Sequence, residues 1–155
     1  EGNINLVSTG PYPKPETRFP GSFGSGYLYY SVPRVILFRE EHSRRVFVDK
    51  VDFISAPGWS PSDVYRPGGP YALITSLCIF MYEKERHRFR LEGLMPGATL
   101  EEVRDNTGFD FDYSESTGSV TPPEPDRVRL IHTRIAAEIS ETYPEFARDR
   151  LGWSG

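Results

Sequence analysis

Two continuous apolar runs of strand length constrain the fold of this chain more than any other feature. Val32–Phe38 (VPRVILF) and Tyr71–Tyr82 (YALITSLCIFMY) are each predicted to form a β-strand. Strands that are apolar on both sides need cover on both faces of their sheet. Both runs are shorter than the roughly 18 apolar residues of a membrane helix, so no membrane span is predicted.

Three further segments have strand patterns: Asn3–Ser8, Arg45–Ser55 and Arg86–Leu94. In Arg45–Ser55, apolar and polar residues alternate, which predicts that Val46 and Val48 face inward. Arg86–Leu94 follows Tyr71–Tyr82 after a charged turn, so the two are predicted to form a β-hairpin. The segments Thr9–Gly26 and Ala56–Pro70 are rich in proline and glycine and are predicted to be loops.

Two helices are predicted near the end of the chain, each with a capping box at its start. Thr99 and Glu102 begin a helix that runs to about Asn106 and ends at Gly108, a typical C′ residue. Thr121 and Glu124 begin a second helix of roughly four turns. Its apolar stripe consists of Val128, Ile131, Ile135 and Ile139. The polar segment 113–120 is predicted to be a linker before this helix.

The length of 155 residues fits one α/β domain. Few helices separate the predicted strands, so a fully covered parallel sheet is hard to build from this chain alone. The chain either forms a compact α+β domain or completes a sheet that other residues begin. It starts with Glu1 rather than methionine, and we expect it to be part of a longer protein.

Charge and cysteine content limit the class of protein. The net charge is −4 and the charges are interspersed, so no basic face predicts nucleic-acid binding. The single cysteine, Cys78, cannot form an intrachain disulfide and fits a reducing compartment. No leader or lipidation motif is present, so a cytoplasmic location is expected.

Few residues are candidates for chemistry. His42, His87 and His132 do not have the spacing of a metal site, and Cys78 lies in an apolar strand, where a thiol is usually inert. The stretch GSFGSG contains neither G-x-S-x-G nor a P-loop pattern, so a serine hydrolase and a nucleoside triphosphatase are not indicated. The carboxylates have structural contexts, and no acid–base pair stands out.

One glycine-rich loop remains as the candidate site. It consists of Gly21, Ser22, Phe23, Gly24, Ser25 and Gly26. Backbone N–H groups in such a loop can bind phosphates or the oxyanions of acyl transfer. Glycine also serves in ordinary turns, because it adopts a positive φ at little steric cost. Residue pattern alone leaves both interpretations open.

Five segments taken in order resemble a known family. They are GNINLVSTG, KPETRFPGSFGSG, RRVFVDKVDFISAPGW, PYALITSLCIF and LMPGATLEEVRDNTGFDFD. This succession resembles the carboxy-terminal part of the B (beta) subunit of class I coenzyme A transferases of the glutaconate type. The resemblance covers about residues 1 to 135 and assigns the whole of residues 1–155 to the carboxy-terminal portion of such a B-subunit domain.

The resemblance implies an open, largely parallel sheet with a β-hairpin and carboxy-terminal helices, incomplete as a single chain. It implies transfer of coenzyme A between carboxylic acids through a glutamyl-CoA intermediate. The substrate would be a CoA thioester, with no tightly bound cofactor. The partners would be an A (alpha) subunit and the missing amino-terminal half of the B subunit, which contains the glutamate. Glu-Gly occurs at Glu1–Gly2, where the chain begins, and at Glu92–Gly93, which is in the wrong place for this role.

The glycine loop matches the Gly-x-Gly-Gly-Ala segment of the family, whose backbone amides approach the thioester. Gly21, Gly24 and Ser25 match its first glycine, its last glycine and its alanine, but Phe23 replaces the middle glycine. That replacement suggests a narrower acyl pocket or another reaction. Enzymes of the same fold include ring-opening hydrolases and a decarboxylase, and a non-catalytic structural subunit is a further alternative.

Overall fold

The computed structural model describes residues 1–155 and divides them into two compact units, Glu1–Val120 and Thr121–Gly155. The boundary falls at the end of the segment 113–120. None of the helices is long and apolar enough to cross a membrane.

The first unit contains two sheets and two short helices. The small sheet pairs β1 (Ser8–Thr9) with β2 (Thr17–Arg18). The larger sheet has the order β3 (Val35–Arg39), β4 (Pro70–Thr75), β5 (Cys78–Glu83) and β6 (Arg88–Leu94). The helices are α1 (Ser25–Ser31) and α2 (Leu100–Asn106).

The α/β class and the hairpin of β5 and β6 are confirmed, whereas the expectation of a largely parallel sheet is corrected. Strands β3 and β4 are parallel, but β4–β5 and β5–β6 are antiparallel, so the sheet of this chain is mixed. Short connections join β4, β5 and β6, and short connections allow only antiparallel pairing.

The apolar run Tyr71–Tyr82 folds as two strands rather than the single predicted strand. The chain reverses direction between Thr75 and Cys78. The Thr75 hydroxyl oxygen accepts hydrogen bonds from the N–H of Leu77 at 3.2 Å and of Cys78 at 3.1 Å. The turn therefore places two apolar strands side by side in the sheet.

The strand predicted over Arg45–Ser55 is absent. The N–H groups of Val46 and Phe47 both donate to the Ser43 carbonyl, at 3.0 and 2.8 Å, which closes a helical turn. The Phe47 carbonyl accepts from Gly108 N at 2.7 Å instead of from a neighbouring strand. Phe47 is buried and Val48 is exposed, the reverse of the predicted alternation.

The predicted first strand and first loop also differ from the structure. Within Asn3–Ser8, only Ile4 makes an isolated antiparallel bridge, to Ala56, before β1 begins. The predicted loop Thr9–Gly26 contains the β1–β2 hairpin and the first turn of α1. The sequence of α1, SGYLYYS, contains few strong helix formers, so propensity gave no signal for it.

Helix α2 contacts the core and begins as predicted. The Thr99 hydroxyl accepts from Glu102 N at 3.1 Å, and Val103 is fully buried. The buried core comprises Phe47, Leu73, Cys78, Phe80, Tyr82, Phe89, Leu91 and Val103. Gly108 follows the helix without a left-handed φ. A Cβ there would lie 2.4 Å from the Phe47 carbonyl oxygen, so glycine is needed for close approach.

A buried polar cluster lies beside this core. His42 Nδ1 is 2.8 Å from Thr75 Oγ1, and Nε2 is 2.9 Å from Thr107 Oγ1. Because the Thr107 hydroxyl donates to the Val103 carbonyl, Nε2–H is the donor to Thr107. The Thr75 hydroxyl contacts both Nδ1 and the Cys78 carbonyl, at 2.8 and 3.2 Å. Burial lowers the pKa of His42 despite the opposing charge of Glu102, and the lowered pKa favours the neutral imidazole.

The second unit is helical. It contains α3 (Pro125–Leu130), a π-helical segment (Ile131–Ile135), α4 (Ala136–Ser140) and α5 (Pro144–Leu151). The predicted capping box at Thr121 is wrong, because the helix starts at Pro125 and no side chain caps it. A helix begun at Thr121 would require the Pro125 nitrogen to donate to the Thr121 carbonyl, and proline has no N–H.

The His42 cluster predicts a pH dependence of stability near neutrality. Because burial lowers the pKa of His42 from 6.5, the unfolded chain binds a proton that the folded chain rejects. The free energy of unfolding should therefore fall as pH drops below about 6.5, by at most about 1.4 kcal/mol per pH unit. Urea unfolding between pH 8 and 5 measures this slope. His42→Gln should be less stable at pH 8 and should lack the His42 part of the slope; an equal slope in both proteins would contradict the assignment.

Candidate functional site

The glycine loop lies between β2 and α1 and is anchored at its start. Phe19 N donates to the Val7 carbonyl at 2.8 Å, and Gly21 N donates to the Leu6 carbonyl at 3.1 Å. At its other end, a Cβ on Gly26 would lie 3.0 Å from the Ser55 carbonyl oxygen. Glycine at this position therefore lets α1 approach the segment that contains Ser55.

Residues 22–25 form a tight turn. Ser25 N and Ser25 Oγ donate to the Ser22 carbonyl, at 2.7 and 2.5 Å. Phe23 has φ 49° and Gly24 has φ 105° and ψ −7°. Two successive positive φ angles define a type I′ turn, which favours Asn-Gly or Gly-Gly at its centre. The sequence places Phe-Gly there instead.

Phe23 is costly in this position. A left-handed backbone costs a residue with a Cβ about 1–2 kcal/mol. The ring does not compensate by packing, because Phe23 is 88% exposed. Strain that no packing offsets is more typical of functional positions than of ordinary turns.

The loop presents unused hydrogen-bond donors. The structure gives no acceptor within the chain for the N–H groups of Ser22, Phe23 and Gly24. A Cβ built on Gly21 or Gly24 would meet nothing within 4 Å, so the space beside these residues is open. Adjacent N–H groups that face open space can hold an anion or a developing oxyanion.

The structure also locates the two serines of the loop. The Ser25 hydroxyl donates to the Ser22 carbonyl, and none of the hydrogen bonds of either serine involves a histidine. A serine without an adjacent base is a weak nucleophile. Neither hydroxyl is thus placed as a nucleophile, and the groups that the loop leaves open are backbone N–H groups and the Phe23 ring.

The only cysteine is buried, as predicted, but it has a neighbour that the sequence did not reveal. His42 Nδ1 lies 3.9 Å from Cys78 Sγ. That nitrogen is already hydrogen-bonded to the Thr75 hydroxyl, and burial raises the pKa of the Cys78 thiol to about 12. The thiol thus stays protonated and inaccessible, so this Cys–His pair is structural.

The two adjacent arginines Arg44 and Arg45 are both engaged within the chain. Arg44 Nε donates to the Asp105 carbonyl at 2.6 Å, at the end of α2, and Arg45 pairs with Glu41. Asn5 also has a structural role, since its side chain bonds the backbone of Val7 and Ser8. The structure has no group of three His, Cys, Asp or Glu side chains that could hold a metal ion.

A second feature was missed by sequence reasoning. A cleft of about 200 Å³ is lined in part by Trp59, Arg66, Lys84 and His87. Trp59 stacks on His87 with the ring centroids 4.5 Å apart. Arg66 donates to the carbonyls of Gly68 and Tyr29 and holds the loop that contains it. No sequence pattern indicated these contacts.

The chain is similar to several proteins of known activity. The coenzyme A transferase family model matches residues 1–106. The B subunit of glutaconate CoA-transferase from Acidaminococcus fermentans is 34% identical over 86% of this chain and 52% of its own length. The B subunit of 3-oxoadipate CoA-transferase from Pseudomonas knackmussii is 37% identical over 88% of this chain and 55% of its own length. The IpdB subunit of the cholesterol ring-cleaving hydrolase from Rhodococcus jostii is 31% identical over 84% and 53%.

Three solved structures of related enzymes are similar to this chain in fold. The glutaconate coenzyme A-transferase of Acidaminococcus fermentans has a TM-score of 0.71 at 31% identity and covers 84% of this chain and 52% of its own. The structure of IpdAB from Rhodococcus jostii has a TM-score of 0.78 at 28% sequence identity, and the match covers 96% of this chain and 58% of that chain. The structure of the decarboxylase AibA/AibB has a TM-score of 0.70 at 30% sequence identity, and the match covers 97% of this chain and 55% of that chain. The chain spans about half the length of the relatives it matches.

Replacing Phe23 by glycine should stabilise the chain, because glycine adopts the left-handed conformation without strain. Allowing for the greater backbone entropy of glycine in the unfolded state, the free energy of unfolding should rise by roughly 0.5–1 kcal/mol. Phe23→Ala is the matched control, since it removes the exposed ring and keeps the strain. It should change stability by less than about 0.5 kcal/mol. Urea unfolding measures both; an equal loss of stability in the two variants would mean that the ring packs.

Proposed function

The chain belongs to the coenzyme A transferase family, and from this membership we propose that it forms part of a B subunit that transfers coenzyme A between carboxylic acids. The observation that carries the proposal is 34% and 37% identity to two CoA-transferase B subunits over most of this chain. The identity to the hydrolase subunits is 31% and 28%.

The proposed reaction uses a glutamate from outside this chain. Its carboxylate attacks the thioester carbonyl, the C–S bond breaks, and coenzyme A leaves as a thiolate. The thiolate then attacks the glutamyl carbonyl of the anhydride, which releases the first acid and forms glutamyl-CoA. An acceptor carboxylate reverses the two steps. No electrons are exchanged and no tightly bound cofactor is needed, because each step is an acyl transfer.

Within this reaction, we assign the glycine loop to the thioester. Each acyl step places negative charge on a carbonyl oxygen, and N–H donors held in position stabilise that charge. The unused N–H groups of Ser22, Phe23 and Gly24 have the right chemistry. The same assignment follows from the match of Gly21, Gly24 and Ser25 to the loop of the family.

The nucleophile is proposed to lie elsewhere because no carboxylate here is placed for it. Of the two Glu-Gly glutamates, Glu92 forms an ion pair with Arg90 on strand β6, and the Glu1 carboxylate accepts from Asn3 Nδ2 at 3.1 Å. An A subunit and the amino-terminal half of a B subunit would supply the rest of the site. A cytoplasmic location stays a prediction.

The edge of the larger sheet supports this partnership. Strand β3 lies at the edge, next to β4 only, and Ile36 and Phe38 are 56% and 75% exposed. An apolar edge strand left open is prone to pair with another chain. We assign this edge to the amino-terminal half of the B subunit.

Hydrolysis or decarboxylation of a CoA-linked acid is the second candidate. It is favoured by the TM-score of 0.78 to IpdAB and by Phe23 in the loop. A non-catalytic role in shaping a partner's site is the third, favoured by the buried, protonated Cys78 and by the lack of another nucleophile. Dependence of the rate on an acceptor acid separates CoA transfer from hydrolysis. Gly24→Val tests the non-catalytic role, because the complex should stay fully active if this chain is only a structural subunit.

The assembled complex should consume acyl-CoA only when an acceptor carboxylate is present, because glutamyl-CoA is discharged by a second acid and not by water. Initial rates should saturate with acetate as the acceptor, and little free coenzyme A should form without it. The 155-residue chain alone is the control and should be inactive, as it has no nucleophile. Release of free coenzyme A at the full rate without acetate would overturn transfer in favour of hydrolysis.

Charges on the edge strand should prevent assembly. Ile36→Lys combined with Phe38→Lys places two charges where an apolar surface would be buried, so the chain should no longer co-purify with the amino-terminal half. Ile36→Val combined with Phe38→Leu is the matched control and should assemble normally. Size-exclusion chromatography with light scattering measures the complexes. Normal assembly of the lysine variant would show that β3 is not the interface.

A further inference from the structure

The sequence around Phe23 is rich in aromatic residues and lacks charged ones. Residues 19–33 contain no Asp, Glu, Lys, Arg or His, although charged residues make up 26% of the chain. Within this stretch, Phe23 and Tyr27 are 88% and 73% exposed, and Leu28 is also exposed. These side chains follow one another in the loop and the first turns of α1. The candidate site thus presents apolar surface to whatever lies beside its backbone.

The arginines that bracket this stretch are directed to aromatic rings. The Arg18 guanidinium lies 4.9 Å from the centroid of Tyr12 and donates to the Tyr12 carbonyl. The Arg34 guanidinium lies 5.3 Å from the centroid of Tyr71.

The Arg66 guanidinium, which lies 5.6 Å from the Tyr29 ring centroid, donates to the carbonyls of Tyr29 and Gly68. The stretch itself contains no cation for a second carboxylate. Because the loop N–H groups are assigned to the thioester carbonyl, a second carboxylate held against the aromatic side chains would lose hydration without gaining a charged partner, which is unfavourable.

Resting on the proposed function, we propose that Phe23 is a specificity-determining residue whose ring contacts the acyl chain of the thioester. The ring favours an acyl chain with an apolar end and disfavours one that ends in a carboxylate. This contact explains why a strained and exposed aromatic residue occupies a position that suits glycine. Its effect is on substrate choice and not on the chemical step, because the loop amides do not depend on the ring.

Two substrates of equal chain length test the inference. Pentanoyl-CoA and glutaryl-CoA both have five acyl carbons and differ in a terminal methyl group or carboxylate. With acetate as acceptor, the assembled complex should have a kcat/KM at least about tenfold higher for pentanoyl-CoA. Phe23→Gly should reduce this ratio about tenfold, mainly through a higher KM for pentanoyl-CoA, as expected for lost apolar contact. Phe23→Leu should keep most of the preference. Tyr65→Ala, which removes a similarly exposed ring outside the stretch, should leave the ratio unchanged.

Calorimetric binding of both thioesters to the same complexes separates the two proposals. If thioester is bound but never consumed, the proposed reaction fails, and the ratio of dissociation constants still decides the role of Phe23. A preference for glutaryl-CoA, or a ratio that Phe23→Gly does not change, would overturn the inference. So would weaker assembly of the Phe23→Gly complex with an unchanged ratio, because the ring would then belong to a subunit interface. Binding of neither thioester would overturn both.

Discussion

The reversal of the chain at Thr75 is the constraint on which the larger sheet depends. One hydroxyl oxygen accepts the N–H groups of Leu77 and Cys78 and also contacts His42. Without this turn, a twelve-residue apolar run would continue as one strand and could not pair with itself. With it, Phe80 is directed into the core and faces Leu91 across the sheet. The same hydroxyl connects the sheet to α2 through His42 and Thr107.

The glycine loop and the buried His42 cluster differ in whether their polar groups have partners within the chain. In the core, each polar group of the His42 cluster has a partner, as buried polar groups require. In the loop, the backbone adopts left-handed angles at Phe23 and Gly24, and the nearby N–H groups have no partner in the chain. The first arrangement stabilises this chain by itself. The second leaves N–H donors available, as the proposed contact with a thioester requires.

Local chemistry explains which parts of the fold the sequence could predict. Thr99 and Glu102 identified α2, and the charged turn after Glu83 identified the hairpin, because each signal involves residues close in sequence. Helix α1 had no such signal, since its form depends on the turn at Phe23 and on close approach at Gly26. Arg45–Ser55 alternated like a strand, but the Phe47 carbonyl is bonded to Gly108, which is remote in sequence. The glycine loop could be named as a candidate site from its composition and family motif, and that role stays a prediction. Its type I′ geometry and its open donors required coordinates.

The parallel pairing of β3 with β4 has a kinetic consequence. About thirty residues without helix or strand separate these two strands, whereas two residues separate β4 from β5. The entropy lost in closing a loop grows with its length, and non-local pairs form slowly for that reason. We therefore expect β4, β5 and β6 to order first and β3 to join them late. Strand β3, which has the open apolar edge, is then the last strand to join the sheet. Its pairing with β4 and its binding to a partner chain can therefore occur together.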